Sequence, residues 1–162
     1  MKIRLFITGG TIDVEEIKEN GDYTYSETYI LKMLKQGRCN ADIESEILFM
    51  KDSLYITDEE RDKLLQSCRN CEEDYIIITH GTDTAAVTAQ VLGKNIKNKT
   101  IVLLGAMIPC NQKESDALFN LGSAVSSVQL LSKGVYICMN GKIFSWDNVR
   151  KNRELMLFET IK

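Results

Sequence analysis

Tyr75-Ile76-Ile77-Ile78-Thr79-His80-Gly81-Thr82-Asp83-Thr84 is the stretch on which the fold turns. An uninterrupted apolar run reads as a strand covered on both faces, the arrangement of parallel α/β sheets rather than of half-solvated antiparallel ones. In such sheets ligands bind beyond the carboxyl ends of the strands, so the polar residues from Thr79 onward mark a site. Upstream, Ile3-Arg4-Leu5-Phe6-Ile7 empties in the same way into Thr8-Gly9-Gly10-Thr11. Two hydroxyl-rich strand ends in one chain imply a shared pocket.

Outward from that stretch, strand-like and helix-like segments alternate, as in βαβ units. A polar run over 13–27 precedes a helix over 28–36 that Gly37 ends, and a strand over 43–50 leads into Lys51-Asp52-Ser53. Thr57-Asp58-Glu59-Glu60 has capping-box spacing, in which Thr57 and Glu60 satisfy free N–H groups at the start of a helix running to about 71. Then follow a helix over 83–92 stopped by Gly93, a buried strand over 100–104, and the loop Gly105-Ala106-Met107-Ile108-Pro109. Leu118, Leu121, Ala124, Val125 and Val128 recur at helical spacing and predict an amphipathic helix over 115–131, after which Gly134 breaks the chain before a strand over 135–139. Asn140-Gly141 is a hairpin signal leading into Lys142-Ile143-Phe144. The predicted fold class is α/β, a Rossmann-like or flavodoxin-like three-layer domain with a mostly parallel sheet and a C-terminal hairpin.

The 162 residues, 44% of them hydrophobic, suit a single domain over 1–162. A chain of this size buries roughly two-thirds of its unfolded surface. A net charge of −3 supplies no basic footprint, which argues against nucleic acid as a partner. No stretch approaches the ~18 consecutive apolar residues of a membrane span, so no membrane partner is expected. Met1-Lys2-Ile3-Arg4 enters a strand without a cleavage pattern, and a cytoplasmic location is expected. The five cysteines, Cys39, Cys68, Cys71, Cys110 and Cys138, are an odd number and read as free thiols. Cys68-Arg69-Asn70-Cys71 has metal or redox spacing, but with no second pair and one histidine, His80, no metal site is expected. Nor is any cofactor: Gly-x-Gly-x-x-Gly, the dinucleotide fingerprint, does not follow the first strand.

Thr8-Gly9-Gly10-Thr11-Ile12, His80-Gly81-Thr82-Asp83-Thr84, Gly105-Ala106-Met107 with Pro109, Asn120-Leu121 and Met139-Asn140 together resemble, in order and spacing, the N-terminal domain of bacterial-type L-asparaginases. The resemblance spans nearly the whole chain. It implies hydrolysis of a small amino-acid carboxamide, asparagine-like, to the acid and ammonia through a threonine nucleophile. Such chemistry needs a nucleophile, a proton acceptor, oxyanion donors and charges that hold the amino-acid end. The resemblance places the nucleophile at Thr11, beside Gly9 and Gly10, where glycine permits unusual backbone angles and close substrate approach. Thr82, Asp83 and Lys151 would form a second catalytic group, with Asp83 also binding the substrate ammonium. Ser53 would bind the substrate carboxylate, and Gly10 and Ala106 would line the same pocket. An assisting tyrosine falls at Tyr23 or Tyr25, with Tyr23 the better match because Thr24 follows it. The run over 13–27, with Gly21 as a hinge, would be a lid that excludes water. His80 reads as a structural, hydrogen-bonded histidine.

Each of these residues has a plainer reading: Thr82 and Asp83 as helix caps, Ser53 as a turn serine, Lys151 as a solvated lysine and the tyrosines as loop aromatics. Departures from the pattern are Asp13-Val14, Leu54, Ile108 and Arg150. Full-length members continue into a second α/β domain that lends an acidic residue to a neighbouring subunit's Thr-Tyr pair, for which no position is found here. A homo-oligomer, dimer or tetramer, that covers the pocket is therefore expected. The alternative is a non-catalytic amino-acid-binding or regulatory module.

Overall fold

The computed structural model describes residues 1–162. Its elements in chain order are β1 (Lys2–Gly9), β2 (Glu16–Ile17), β3 (Tyr23–Thr24), α1 (Ile30–Gln36), β4 (Asp42–Lys51), α2 (Asp58–Asn70), β5 (Tyr75–Thr79), α3 (Ala85–Asn95), β6 (Thr100–Leu104), α4 (Ala117–Val128), β7 (Gly134–Met139), β8 (Lys142–Ser145), β9 (Arg150–Asn152) and β10 (Leu157–Glu159). A six-stranded sheet has the order β4-β1-β5-β6-β7-β8, parallel except for β8. That is the flavodoxin-like order followed by an antiparallel edge. The chain reverses its direction of travel across the sheet between β1 and β5, and the crevice beyond that point is where doubly wound sheets bind ligands.

Residue alternation along the strands builds two cores. Ile76, Ile78, Ile101 and Leu103 face α2 and α3, meeting Leu64, Ala89 and Leu92. On the other face, Leu5, Ile77 and Val102 meet α1 and α4 through Ile30, Met33, Leu121 and Val128. Sheet strands covered on both faces explain why β5 and β6 read as unbroken apolar runs.

The expected elements are present, with displaced ends. Thr57 and Glu60 form the expected capping box at α2. α3 starts at Ala85 rather than 83 and runs through Gly93, where Trp146 leaves no room for a side chain: a Cβ there would lie 2.3 Å from the indole. α4 is shorter than 115–131. Ser115 instead donates to the Ile108 carbonyl, and Asp116 accepts from Met107 and Ile108 N–H, tying the helix start to the preceding loop. Gly134 belongs to β7. The run over 13–27 is not structureless: β2 and β3 pair as a small hairpin, with Gly21 at φ 86° in its turn.

Asn140 and Gly141 take φ 56° and 72°, the positive angles that a tight β7–β8 turn demands. A further hairpin, β9–β10, follows, and buried Phe158 pins it with its ring centroid 6.5 Å from that of Phe144. All five cysteines are free. No helix is long and apolar enough to cross a membrane.

Candidate active site

The segments that leave β1, β4 and β5 touch backbone to backbone. Ile7 of β1 pairs with Thr79, the last residue of β5, β1 runs two residues further to Gly9, and the Thr8 hydroxyl donates to the Thr79 carbonyl at 2.6 Å. Past that pair Gly10 adopts φ 82° and ψ 178°, a region open essentially to glycine alone. Its N–H donates to the Lys51 carbonyl at 2.8 Å, and a Cβ on it would lie 2.3 Å from the Gly81 nitrogen. Gly81 in turn backs onto Ser53, whose Oγ would be 2.5 Å from a Cβ at that glycine. Gly105 would meet the His80 carbonyl at 2.4 Å, and fully buried Ala106 follows it. Glycines thus let the chain at Gly10, Ser53, His80–Gly81 and Gly105 pack closely beyond the strand ends.

Thr11 opens a short 3-10 turn, Thr11–Asp13, directly after Gly10 and is half-buried. Thr82 is nearly buried. Lys151 of β9 donates to Thr82 Oγ1 at 2.7 Å and lies 3.1 Å from Asp83 Oδ1. Burial works against the Asp83 carboxylate, but the hydrogen bonds and charges of Lys151 and Arg153 outweigh it and hold its pKa below the usual range. Asp83 is not a helix cap: the N-cap of α3 is Thr84, whose hydroxyl donates instead to the Ser53 carbonyl at 2.9 Å.

Two buried hydroxyls, Ser53 Oγ and Tyr25 OH, have no hydrogen-bond partner. Buried polar atoms are almost always paired, so an unpaired one beside a crevice marks a place for a ligand group. Burial, followed by the charge of Asp52, raises the Tyr25 pKa, so its phenol stays protonated. Tyr23 sits opposite Ile17 on the β2–β3 hairpin, and both tyrosines line an open depression of about 510 Å³ with Lys51 and Asp52.

Buried Asp13, a departure from the family pattern, accepts from Tyr29 N–H at 2.7 Å and Thr28 Oγ1 at 3.0 Å. It ties the Thr11 turn to the segment that follows the β2–β3 hairpin. Burial raises its pKa to about 6 against those hydrogen bonds. Asn111 holds the near end through the Glu15 carbonyl at 2.8 Å. Asn120 donates to the Gly105 carbonyl at 3.0 Å and so fixes the Ala106 loop.

His80, fully buried, contacts the Gly81 carbonyl through Nδ1 at 2.9 Å and Thr88 Oγ1 through Nε2 at 2.8 Å. A carbonyl only accepts, so Nδ1 carries the proton and Nε2 accepts from Thr88. Burial lowers the His80 pKa to about 4, so the ring is neutral and holds the Gly81-Thr82 turn against α3. The unfolded value is near 6.5, so this contribution is complete above that pH and is lost as pH falls toward 4, on the order of 3 kcal/mol in all. As the only histidine, His80 gives an unambiguous ring NMR titration, expected below pH 5. A midpoint near 6.5 would contradict the buried, neutral assignment.

Arg153, which the motif reading passed over, also reaches Asp83 Oδ1, at 3.2 Å from Nη2. No local pattern marks it: Arg153 lies in the turn just past β9, and only the folded hairpin brings it to Asp83.

A flavodoxin-ordered sheet with threonines at its switch point, one of them hydrogen-bonded to a lysine, defines the class. The model of the asparaginase N-terminal domain matches residues 2–158, and the chain belongs to the asparaginase family. It is 32% identical to the L-asparaginase of Thermococcus kodakarensis over 97% of its own length and 49% of that protein. The solved structure of that thermostable enzyme superposes with a TM-score of 0.86, covering 99% of this chain and 51% of the other. A glutaminase-asparaginase of Acinetobacter glutaminasificans is 33% identical over 89% of this chain and 47% of its own. The structure described as a probable cytoplasmic L-asparaginase of Campylobacter jejuni is 31% identical, with a TM-score of 0.82 over 98% of this chain and 52% of that one. The chain spans about half the length of the relatives it matches.

Proposed function

We propose that the protein hydrolyses a small amino-acid carboxamide, asparagine-like, to the acid and ammonia. The observation that carries this reading is the 2.7 Å contact from Lys151 Nζ to Thr82 Oγ1 beside Asp83. An ammonium hydrogen-bonded to a nearly buried threonine is an arrangement for polarising a hydroxyl or a water, which a pure binding module does not need.

In this reading Thr11 Oγ attacks the carboxamide carbon, and a tyrosine of the lid, Tyr23 by its place in the motif or Tyr25 by its buried, unpaired hydroxyl, assists in taking the hydroxyl proton. Backbone N–H groups near Gly10 and Ala106 face the developing oxyanion. The C–N bond breaks, ammonia leaves with a proton, and an acyl-threonine remains. A water held by Thr82 and Lys151 attacks the acyl carbon, and the C–O bond to Thr11 breaks to give the acid and restore the hydroxyl. Ser53, with its unpaired hydroxyl, takes the substrate carboxylate, and Asp83 faces the α-position. The β2–β3 hairpin closes over the site and excludes water.

Self-association as a dimer or tetramer is proposed with this activity, since the crevice opens to solvent at Asp83 and needs a cover. Cytoplasmic placement fits the five free thiols. The reading is tested by enzyme-coupled ammonia release from asparagine and glutamine, on protein whose sedimenting mass is measured in parallel. Turnover by a species larger than the 18.4 kDa chain is expected. Full activity in a strict monomer would remove the oligomer from the account, and no release from either amide would remove the activity.

A further inference from the structure

The Cys68-Arg69-Asn70-Cys71 motif has no part in the proposed activity, and it ends beside a buried cation. Cys68 is fully buried on the last turn of α2, and Cys71, which caps that helix, is half-exposed. Lys99, only 5% exposed, donates to the carbonyls of Cys71 and Glu73, the latter at 2.9 Å, and lies 3.4 Å from Cys71 Sγ. A buried ammonium calls for a counter-anion. The Glu73 carboxylate is taken by Lys2 and Arg4 instead, which leaves the Cys71 sulfur as the one group at Lys99 able to become an anion. Cys71 also lines an open depression of about 520 Å³ with Arg4, Lys63 and Gln66, so small solutes reach it from solvent. Of the five sulfurs only that of Cys71 accepts from a cation. Burial pushes the thiols of Cys68, Cys110 and Cys138 up, away from the reactive thiolate form.

We propose that Cys71, Lys99 and Cys68 form a modification site for hydroperoxides, hydrogen peroxide being the simplest, in which Cys71 is oxidised first and Cys68 converts it to a disulfide. The Cys71 thiol gives up its proton and its sulfur, beside the Lys99 ammonium, attacks one peroxide oxygen. The O–O bond breaks, the other oxygen leaves with that proton as water, and Cys71 becomes a sulfenic acid. The Cys68 sulfur then attacks the Cys71 sulfur, the S–O bond breaks, and the hydroxyl departs as water with the Cys68 proton. Two thiols are oxidised to one disulfide, and one peroxide is reduced to water. Cys71 Sγ already rests 3.6 Å from the Cys68 carbonyl, over the same helical turn. Cβ atoms three residues apart on a helix are about 5–6 Å apart, and a disulfide needs about 3.8 Å. Cys71 can close that difference, because its ψ of 151° has already left the helix. The site lies where the chain enters β5 and β6, at the opposite end of the sheet from Thr11 and Thr82, and so stands apart from the carboxamide chemistry.

The test treats the reduced wild type with limiting hydrogen peroxide, blocks the remaining thiols and maps all five cysteines by peptide mass spectrometry. Cys39 and Cys110 are half-exposed like Cys71 and serve as internal controls. A Cys68–Cys71 disulfide that dithiothreitol reverses is expected before any other cysteine is modified. In Cys68→Ser, dimedone is expected to trap Cys71 as the sulfenic acid. Lys99→Met is expected to slow Cys71 oxidation about tenfold, with a thermal melt to establish that the variant is folded. Should it not fold, the order in which iodoacetamide alkylates the five thiols of the native wild type replaces it, with Cys71 expected first. Modification of Cys39 or Cys110 as fast as Cys71 overturns the inference. So does a folded Lys99→Met that oxidises at the wild-type rate, or an oxidised wild type in which Cys68 remains a free thiol.

Discussion

Thr82→Ala is expected to lower ammonia release by a factor of at least ~100, the usual scale for removing a positioned proton-transfer group, without lowering the melting temperature by more than a few degrees. The hydroxyl makes its hydrogen bond to Lys151 Nζ at 2.7 Å rather than to the core, so its loss removes chemistry and leaves packing in place. Thr82→Ser keeps the oxygen and should retain part of the rate, separating the hydroxyl's role from that of the side chain's shape. Thr11→Ala should be at least as severe, because it removes the proposed nucleophile outright. Steady-state ammonia release with matched thermal melts decides the matter. An alanine variant at either position with near-wild-type turnover would sink the catalytic assignment, whereas loss of activity together with loss of the fold would relocate Thr82 from chemistry to structure.

Gly10→Ala should disable both the site and the fold around it. The backbone angles at Gly10 exclude other residues, and the added Cβ would overlap the Gly81 nitrogen at 2.3 Å, an atom of the main chain that cannot swing aside. Strain and overlap each cost roughly 1–3 kcal/mol, so a loss of about 3 kcal/mol is expected. For a chain of this size that is a drop of roughly 6–12 °C in melting temperature. Activity should disappear as well, since Gly81, Thr82 and Ser53 must move to admit the methyl. Gly21→Ala is the internal control. It shares a positive φ but has nothing within 4 Å of its Cβ, so it should cost only the local strain of its turn. Equal melting temperatures for Gly10→Ala and the wild type would contradict the three-way backbone contact.

The β5 segment and the neighbouring ends of β1 and β5 were legible because a strand buried on both faces leaves a continuous apolar run, and because the glycines and threonines that follow it are easily recognised. The lid hairpin was not. Its strands span two residues each, and the pairing rests on main-chain bonds such as Glu15 N–H to the Thr24 carbonyl at 2.9 Å, which no side-chain period reports. The β9–β10 hairpin was missed for a similar reason: its first strand, Arg150–Asn152, is wholly polar, and its anchor Phe158 finds its partner Phe144 on another element. Gly93 was read as a stop because helices often end at glycine. Contact with Trp146, distant in sequence, requires a glycine inside the helix instead.

For the site, Thr82 and Asp83 stood out from the residues themselves, but Lys151 could be placed only through the family resemblance, since nothing local distinguishes it from a solvated lysine. The tertiary fold supplies the reason it matters, by laying β9 across the end of β5. Arg153 had no local signal either, because it lies in the turn after β9 and meets Asp83 only through the fold. Asp13 was visible only as an oddity. Its meaning is a long-range one, a buried carboxylate that joins the Thr11 turn to Thr28 and Tyr29, beyond the β2–β3 hairpin.

The central claim is that this chain turns over a carboxamide at the Thr11 and Thr82 crevice. It is tested most directly by continuous ammonia release from a panel of small carboxamides, asparagine, glutamine and succinamate among them, with wild type and Thr11→Ala run side by side. The account predicts release by the wild type that continues well past one equivalent and is absent from the variant. Release that stops at the blank for every amide, or that Thr11→Ala reproduces, would contradict it.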